Sequence, residues 1–574
     1  MYTDTGELAA AAATWGVAHP TGYPLLTLVG HVWSLLPWPS TIGGLNILAA
    51  LFTAGGVAFL TVVVQHFTKH IQATQPWLPI AIGVAFGLCG LVWAQSTAYE
   101  VYSLNLLLVA ATTYACVRSA SDVSVRWTLV AGTMYGLALS NHLSSVFLAP
   151  GFFVLWWNRN RKQQHWLTLI LPILLGLSLY ALLPLRSTSL PPINWGWVHR
   201  GLDAFMYHVK GTQFGVWMFS DSKALATNFR LFIEEASRML LWVGWIPTLA
   251  GMVVLLRENK KVALGLIAIL VGNLAISLGY AIPDISAYFL PSIIVLMAFC
   301  GIGLARFLTR VSRPFQFSVL LLPLCALALN LPTMNYRTHR AVEAYTQWAW
   351  ANLEPNAIVM SRQWDYMLSA MWYQQTVEHV RPDVAIIDKE LLRRTWYIPH
   401  LQHEYPEVMK GAMVAAQDFM PWLQTFESDA SAFNAVPSNG AQIQRRFVTL
   451  LNALILNNPN RPFYVTPEIL KEEQGFAEGY RAVPVGPFYR LTKDTALAPR
   501  TATDGLELLA SSLQNRTERL DSGLRITAIG MLTTDAVYAY QFLGDTAKGR
   551  YLRNLVVGLD PKSRAARALI QRIP

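Results

Sequence analysis

The sequence predicts a polytopic, all-helical membrane bundle of about ten spans, joined to a water-soluble α/β domain and a helical tail. Three observations predict it. Of 574 residues, 53% are hydrophobic and 14% charged, where soluble proteins carry about 25% charged residues. Apolar stretches of helical length recur between residues 43 and 332. Lys and Arg gather in alternate connections between those stretches, which is how membrane proteins set their orientation.

A hydrocarbon core of about 30 Å takes about 20 apolar residues of helix. Ten stretches reach or approach that length: residues 43–65, 79–97, 100–117, 127–141, 143–157, 167–185, 239–256, 262–280, 287–306 and 315–332. Residues 25–37 are also apolar but end between Pro24 and Pro37, too short to cross, and read as an interfacial helix. Four regions follow: an opening loop with that helix (1–42), the bundle (43–333) with a long loop at 186–238, an α/β domain (334–500) and a tail (501–574). In the third, Ala357-Ile358-Val359-Met360 and residues 383–388 read as strands around a helix near Tyr366 to Thr376. In the tail, residues 539–545 and 558–561 resemble one tetratricopeptide unit.

Lys69, then Arg118 and Arg126, then Arg159, Arg161 and Lys162, then Arg257, Lys260 and Lys261, then Arg306, Arg310 and Arg313 fall in every second loop. Those loops are expected in the cytoplasm. Residues 1–42, 97–99, 140–142, 186–238, 281–286 and everything past Pro332 then face outside. The formal charge of +10 therefore marks orientation; it forms no phosphate-tracking stripe and points away from nucleic acid. Cys89, Cys116, Cys300 and Cys325 lie in apolar stretches without metal-ligand spacing. Residues 1–24 show no n-region or h-region of a cleavable signal.

The polar residues worth chemistry lie on the outside set. Asp4 and Glu7 precede an alanine run, a spacing that serves equally as a capping box or as carboxylates held against an apolar wall. His19-Pro20-Thr21-Gly22-Tyr23-Pro24 breaks that run with a rigid turn carrying His19 and Tyr23. Glu100, Tyr102 and Asn105 open the third span just behind an outside turn, where ionisable groups either snorkel or face a cavity. The spans 127–141 and 143–157 are short, so Asn141 and His142 between them either line the floor of a polar cavity or, equally, cap a tight helical turn. Arg186 sits at the outer end of a span, against the orientation rule, which suits a planar phosphate ligand. Pro191 to Trp197, with Asn194 and Trp195, reads as an aromatic loop for stacking a sugar or as an interfacial belt. Asp284 occupies a very short outside turn, where capping the next helix is the first reading and a cavity-facing acid the second, and Tyr288 follows at the head of that helix. No Walker loop, dinucleotide fingerprint, HExxH or nucleophile elbow is present, so nucleotide and hydrolase chemistry lack an anchor.

Together these residues carry a resemblance. DTGELAAAAATWGVAHPTGYPLL at the start, AYEVYSLN at 98–105, SNHLSS at 140–145, PLRS at 184–187 with PPINWG at 191–196, and IPDISAYFLP at 282–291 resemble the protein O-mannosyltransferase-like membrane family (domain of unknown function 2723), itself similar to the GT-C glycosyltransferases. The resemblance implies a GT-C-like bundle and an inverting enzyme of the outer or lumenal face, with a polyprenyl-phosphate sugar donor and a protein or glycan hydroxyl as acceptor. It implies Asp4 or Glu7 as catalytic base, with Arg186 and His19 toward the donor phosphate. It leaves a divalent cation open and places the protein in a bacterial cytoplasmic membrane with the C-terminal domain outside. The family pattern has a membrane helix ahead of the acidic loop, where this chain has three residues, so an upstream segment is expected to be missing or the copy truncated. The alternative from the residues alone is a transporter or lipid flippase, for which matched inverted repeats are expected and none is visible.

Overall fold

The computed structural model describes residues 2–69, 71, 76–121, 125–157, 166–514 and 516–574. Arg159, Arg161 and Lys162, counted above in one basic loop, lie outside the described residues. The chain forms two compact units: residues 11–193 with 198–335, and residues 336–574 with 1–10 and 194–197.

The first unit is the helical bundle. Six of its helices are long and apolar enough to cross a membrane: Thr41–Thr68, Val101–Ser121, Trp166–Ser187, Lys260–Ser277, Ile285–Leu308 and Arg313–Met334. Leu78–Gly87 and Gly90–Thr97 make a seventh if their 64° bend belongs to one broken span. The remaining three expected spans are shorter helices, Val125–Asn141, Leu143–Trp157 and Trp245–Glu258. Burial sorts the six by position. Ile285–Leu308 is 89% buried and Val101–Ser121 78%, so they form the centre, whereas Trp166–Ser187 and Arg313–Met334 are 17% and 11% buried. Leucines such as Leu171, Leu175, Leu324 and Leu329 are more than half exposed on those two. So much bare apolar helix is stable only against lipid, and the chain is an integral multi-pass membrane protein. Pro24–Ser34 is an 11-residue helix, reaching about 16 Å, and cannot cross.

One boundary differs from expectation. Residues 240–244, read above as part of the start of a span, form a turn in which Leu241 (φ 49°) and Trp242 (φ 60°) are left-handed. The amphipathic helix Ser222–Met239 ends there and the apolar helix begins at Trp245. Hydropathy runs through the turn because its residues are apolar, but backbone direction changes inside it.

The second unit holds a five-stranded sheet, β1 Ile358–Ser361, β2 Ala385–Asp388, β3 Phe463–Val465, β4 Arg481–Val485 and β5 Phe488–Thr492, in the order β2-β1-β3-β5-β4. β2, β1 and β3 are parallel; β5 runs antiparallel to β3 and β4. The wide turn Trp364–Leu368 and helix Ser369–Thr376 connect β1 to β2. β1 and β2 are buried along their whole length, as expected of parallel strands covered on both faces. Helix Ala341–Ala351 supplies Tyr345 and Trp348 to the core, and helices Leu506–Leu513, Arg519–Val537, Thr546–Leu559 and Arg564–Arg572 pack onto the same cluster.

Candidate active site

The acidic pair belongs to the second unit. Helix Thr5–Ala13 begins directly after Asp4, and Gly6 lets its first turn lie against the start of helix Ser369–Thr376. A Cβ at Gly6 would fall 2.4 Å from the Ser369 carbonyl oxygen. At this contact the Glu7 N–H donates to Ser369 Oγ at 2.9 Å. Asp4 Oδ1 accepts from the Trp364 indole N–H at 2.6 Å, a charge-assisted bond. Upstream, Thr3 N–H donates to the Asp365 carbonyl, and Tyr2 donates to Asp521, which also bonds His339 at 2.8 Å. The two carboxylates differ in access: Asp4 is half-buried and Glu7 is 0% exposed. A third acid, Asp365, is held above its ordinary range by burial and then by the charge of Asp4, against the pull of Arg519.

Asn194 and Trp195 lie in the same unit, and both are buried. The Trp195 ring is 6% exposed, enclosed by Trp364 (centroids 5.6 Å apart), Trp372 (6.4 Å) and Trp396 (5.3 Å). The loop thus contributes Trp195 to a packed tryptophan cage, where a sugar-stacking surface or an interfacial belt was expected. Trp197 is partly buried, and its indole N–H points to His400 Nδ1 at 3.3 Å.

The bundle gathers the other set. Gly22 (φ 94°) and left-handed Tyr23 close the His-Pro-Thr-Gly-Tyr-Pro turn, so that Tyr23 Oη lies 3.2 Å from His19 Nε2 and donates to the Pro20 carbonyl. Tyr23 stacks on His142 at 5.9 Å. His142 meets Tyr102 at 5.8 Å and Tyr288 at 5.2 Å, and those two tyrosines meet at 5.5 Å. Three segments distant in sequence therefore converge on His142. Its Nδ1 lies 2.6 Å from Ser144 Oγ. Asn141 Nδ2 donates to the Val101 carbonyl, and Asn105 Oδ1 accepts from Ser145, tying the third span to the turn after the fourth. Glu100 is buried at the head of that span, and Asp284 is half-buried one helical turn before Tyr288. Arg186 places its guanidinium 4.6 Å from the Trp15 ring centroid and donates through Nε to the Trp15 carbonyl at 2.9 Å, a fixed, planar cation.

Sequence reasoning missed Trp364, Ser144, Tyr280 and His208. Tyr280 sits beside Tyr288 at 5.6 Å, and its place next to the 282–291 motif was a usable signal. His208 is buried behind Gly22, and burial, then the charge of His19, lower its pKa from the ordinary imidazole range to about 3. Trp364 gave no signal, since nothing local links it to residue 4. Among the described residues, no group of three or more His, Cys, Asp or Glu could hold a metal ion.

Residues 4–166 match the family description "Protein O-mannosyl-transferase TMEM260 N-terminal domain", and residues 343–413 match "TMEM260-associated domain 2". The chain is 25% identical over 442 residues to Protein O-mannosyl-transferase TMEM260 of Mus musculus, a match covering 71% of this chain and 62% of the relative. It is 22% identical over 454 residues to Protein O-mannosyl-transferase tmem260 of Dictyostelium discoideum, covering 69% and 55%. The chain thus spans about three fifths of the one and just over half of the other. Among solved structures, it is similar to ArnT from Cupriavidus metallidurans bound to undecaprenyl phosphate, with 12% identity, 86% of this chain and 94% of that chain covered, and a TM-score of 0.44. With two successive domains of one family matched in order and two relatives aligned along most of its length, this chain is similar to the protein O-mannosyl-transferase-like membrane family.

Proposed function

We propose that the chain is an inverting glycosyltransferase that moves a sugar, with mannose the first candidate, from a polyprenyl-phosphate donor to a hydroxyl of a protein Ser or Thr. The observation that carries this is Asp4: a half-buried carboxylate fixed by the Trp364 indole at the first residue of the segment matching an O-mannosyl-transferase domain. A base of this kind must be both oriented and reachable, and Asp4 satisfies both. Glu7, fully buried, is the second candidate for the base, and its backbone N–H fixes the helix on Ser369.

In the proposed step Asp4 takes the acceptor hydroxyl proton as that oxygen bonds to the anomeric carbon. The bond from that carbon to the phosphate oxygen breaks with inversion, and polyprenyl phosphate leaves as the anion. The family resemblance assigns the developing phosphate charge to Arg186, whose guanidinium is planar and oriented by Trp15, and to His19. The aromatic cluster on His142 offers ring faces and hydroxyls to the sugar. The active face is the extracytoplasmic or lumenal one, where the acceptor would be a secreted or membrane protein. A polyprenyl-phosphate donor follows from the family resemblance, and a protein acceptor from the names of the relatives.

The test is sugar transfer in lipid nanodiscs from polyprenyl-phosphate mannose to a Ser/Thr-rich peptide. Asp4→Asn is expected to lower transfer by about a hundredfold or more while donor binding is kept, as for loss of a general base. Glu7→Gln is expected to lose less. If Asp4→Asn with Glu7→Gln transfers at the rate of the unaltered chain, neither acid is the base and the reading falls.

A further inference from the structure

A cavity of about 630 Å³ opens along helix Trp245–Glu258, away from every residue placed in the reaction above. That volume is in the range of about 300–1,000 Å³ usual for ligand sites. Its wall is apolar, with Ile82, Pro247, Val254, Met297, Leu304 and Leu322, and its charged residues are Arg257, Glu258, Arg306 and Arg310. The charges belong to one end. Helices Trp245–Glu258 and Ile285–Leu308 are separated by the single returning helix Lys260–Ser277, so they run the same way and their last turns share a face. Arg306 pairs with Glu258. Arg257 and Arg310 have no acidic partner among the described residues, so the mouth carries two uncompensated positive charges. The helix side leading to it is bare and apolar, with Val243, Ile246 and Leu249 exposed.

We propose that this cavity is a binding site for an anionic phospholipid of the surrounding bilayer, its acyl chain along the apolar wall and its phosphate between Arg257 and Arg310. An apolar slot lined at one end by two arginines matches both halves of such a molecule, and basic pockets between membrane helices take anionic headgroups. The donor lipid is not the occupant. Helix Lys260–Ser277 alone puts 18 residues, about 27 Å, between the arginines and the turn that carries Asp284 and Tyr288. A polyprenyl phosphate held here could not present its sugar to that turn. Standing on charge and cavity shape, the site does not depend on the transferase reading.

The experiment uses the full chain, delipidated in a non-ionic detergent, with native mass spectrometry of bound lipid. The probes are palmitoyl-oleoyl phosphatidylglycerol, the phosphatidylcholine of the same chains, and undecaprenyl phosphate. Phosphatidylglycerol is expected to bind at least about tenfold tighter than phosphatidylcholine, each arginine at a membrane surface being worth about 1 kcal/mol. Arg257→Gln with Arg310→Gln is expected to weaken it about thirtyfold on the same scale. Lys261→Gln with Arg313→Gln, which removes equal charge outside the cavity wall, is expected to change it less than about threefold. Ala250→Trp, which fills the cavity with the arginines intact, is expected to abolish binding. Equal binding of the two phospholipids, equal loss in both charge pairs, or displacement of phosphatidylglycerol by tenfold less undecaprenyl phosphate would each overturn the proposal.

Discussion

Gly6→Ala tests the packing that fixes the acidic helix. Helix propensity favours the change by about 1 kcal/mol, because Ala gives up less backbone freedom than Gly. Sterics oppose it. The new Cβ would sit 2.4 Å from Ser369 O, 2.6 Å from Ser369 C and 2.9 Å from Ala370 N, all backbone atoms of a helix start and unable to rotate away. Carbon contacts are comfortable at about 3.5–4.0 Å, so helix Thr5–Ala13 must retreat by about an ångström. Overpacking of this kind costs about 1–3 kcal/mol. The retreat also stretches the Glu7–Ser369 bond of 2.9 Å and the Asp4–Trp364 bond of 2.6 Å. Those are worth about 1 and about 1.5–3 kcal/mol if lost. The net expectation is destabilisation of about 2.5–6 kcal/mol after the propensity gain, with transfer activity falling because Asp4 loses its orienting donor. The assay is thermal unfolding of the purified chain in nanodiscs, followed by intrinsic tryptophan fluorescence, with transfer measured on the same samples. An unchanged or higher melting temperature with full activity would refute both the contact and the role given to Asp4.

Three further outcomes are expected. Asp535 is buried and pushed up to about 8 chiefly by that burial, against the opposing charge of Lys548. Its neutral form is the one the fold prefers, so its contribution is full below pH about 4 and is lost as pH rises toward 8. Asp535→Asn should therefore raise the melting temperature by an amount that grows between pH 5.5 and 8.5; a constant difference would show that the carboxyl does not titrate there. Lys389, 2% exposed, holds Glu473 and Glu390 at 2.7 Å and Glu472 at 3.2 Å. Lys389→Met leaves Glu473 buried with less compensation and should cost about 3–5 kcal/mol, read as faster limited proteolysis within residues 334–500. Arg186→Lys keeps the charge but cannot both lie flat on Trp15 and donate through Nε. The KM for the lipid donor should rise about tenfold, the worth of one charge-assisted bond, with little change in melting temperature.

Local periodicity carried a good share of this protein into view. The apolar runs gave the bundle, because a helix in lipid must satisfy its own backbone and be greasy for its whole length, and both demands are written residue by residue. Short buried strands at β1 and β2 were legible for the same reason, as was the rigid turn of residues 19–24. The break at Leu241–Trp242 was not, since hydropathy measures composition and is blind to a left-handed backbone between two apolar helices.

Tertiary structure decided the rest. That residues 1–10 and 194–197 pack with residues 336–574, that Asp4 is held by an indole 360 positions away, and that His142 collects Tyr23, Tyr102 and Tyr288 could not be read from any window of sequence. Such pairings depend on which surfaces complement one another once every element has formed, and a sequence pattern records only what a residue requires of its near neighbours.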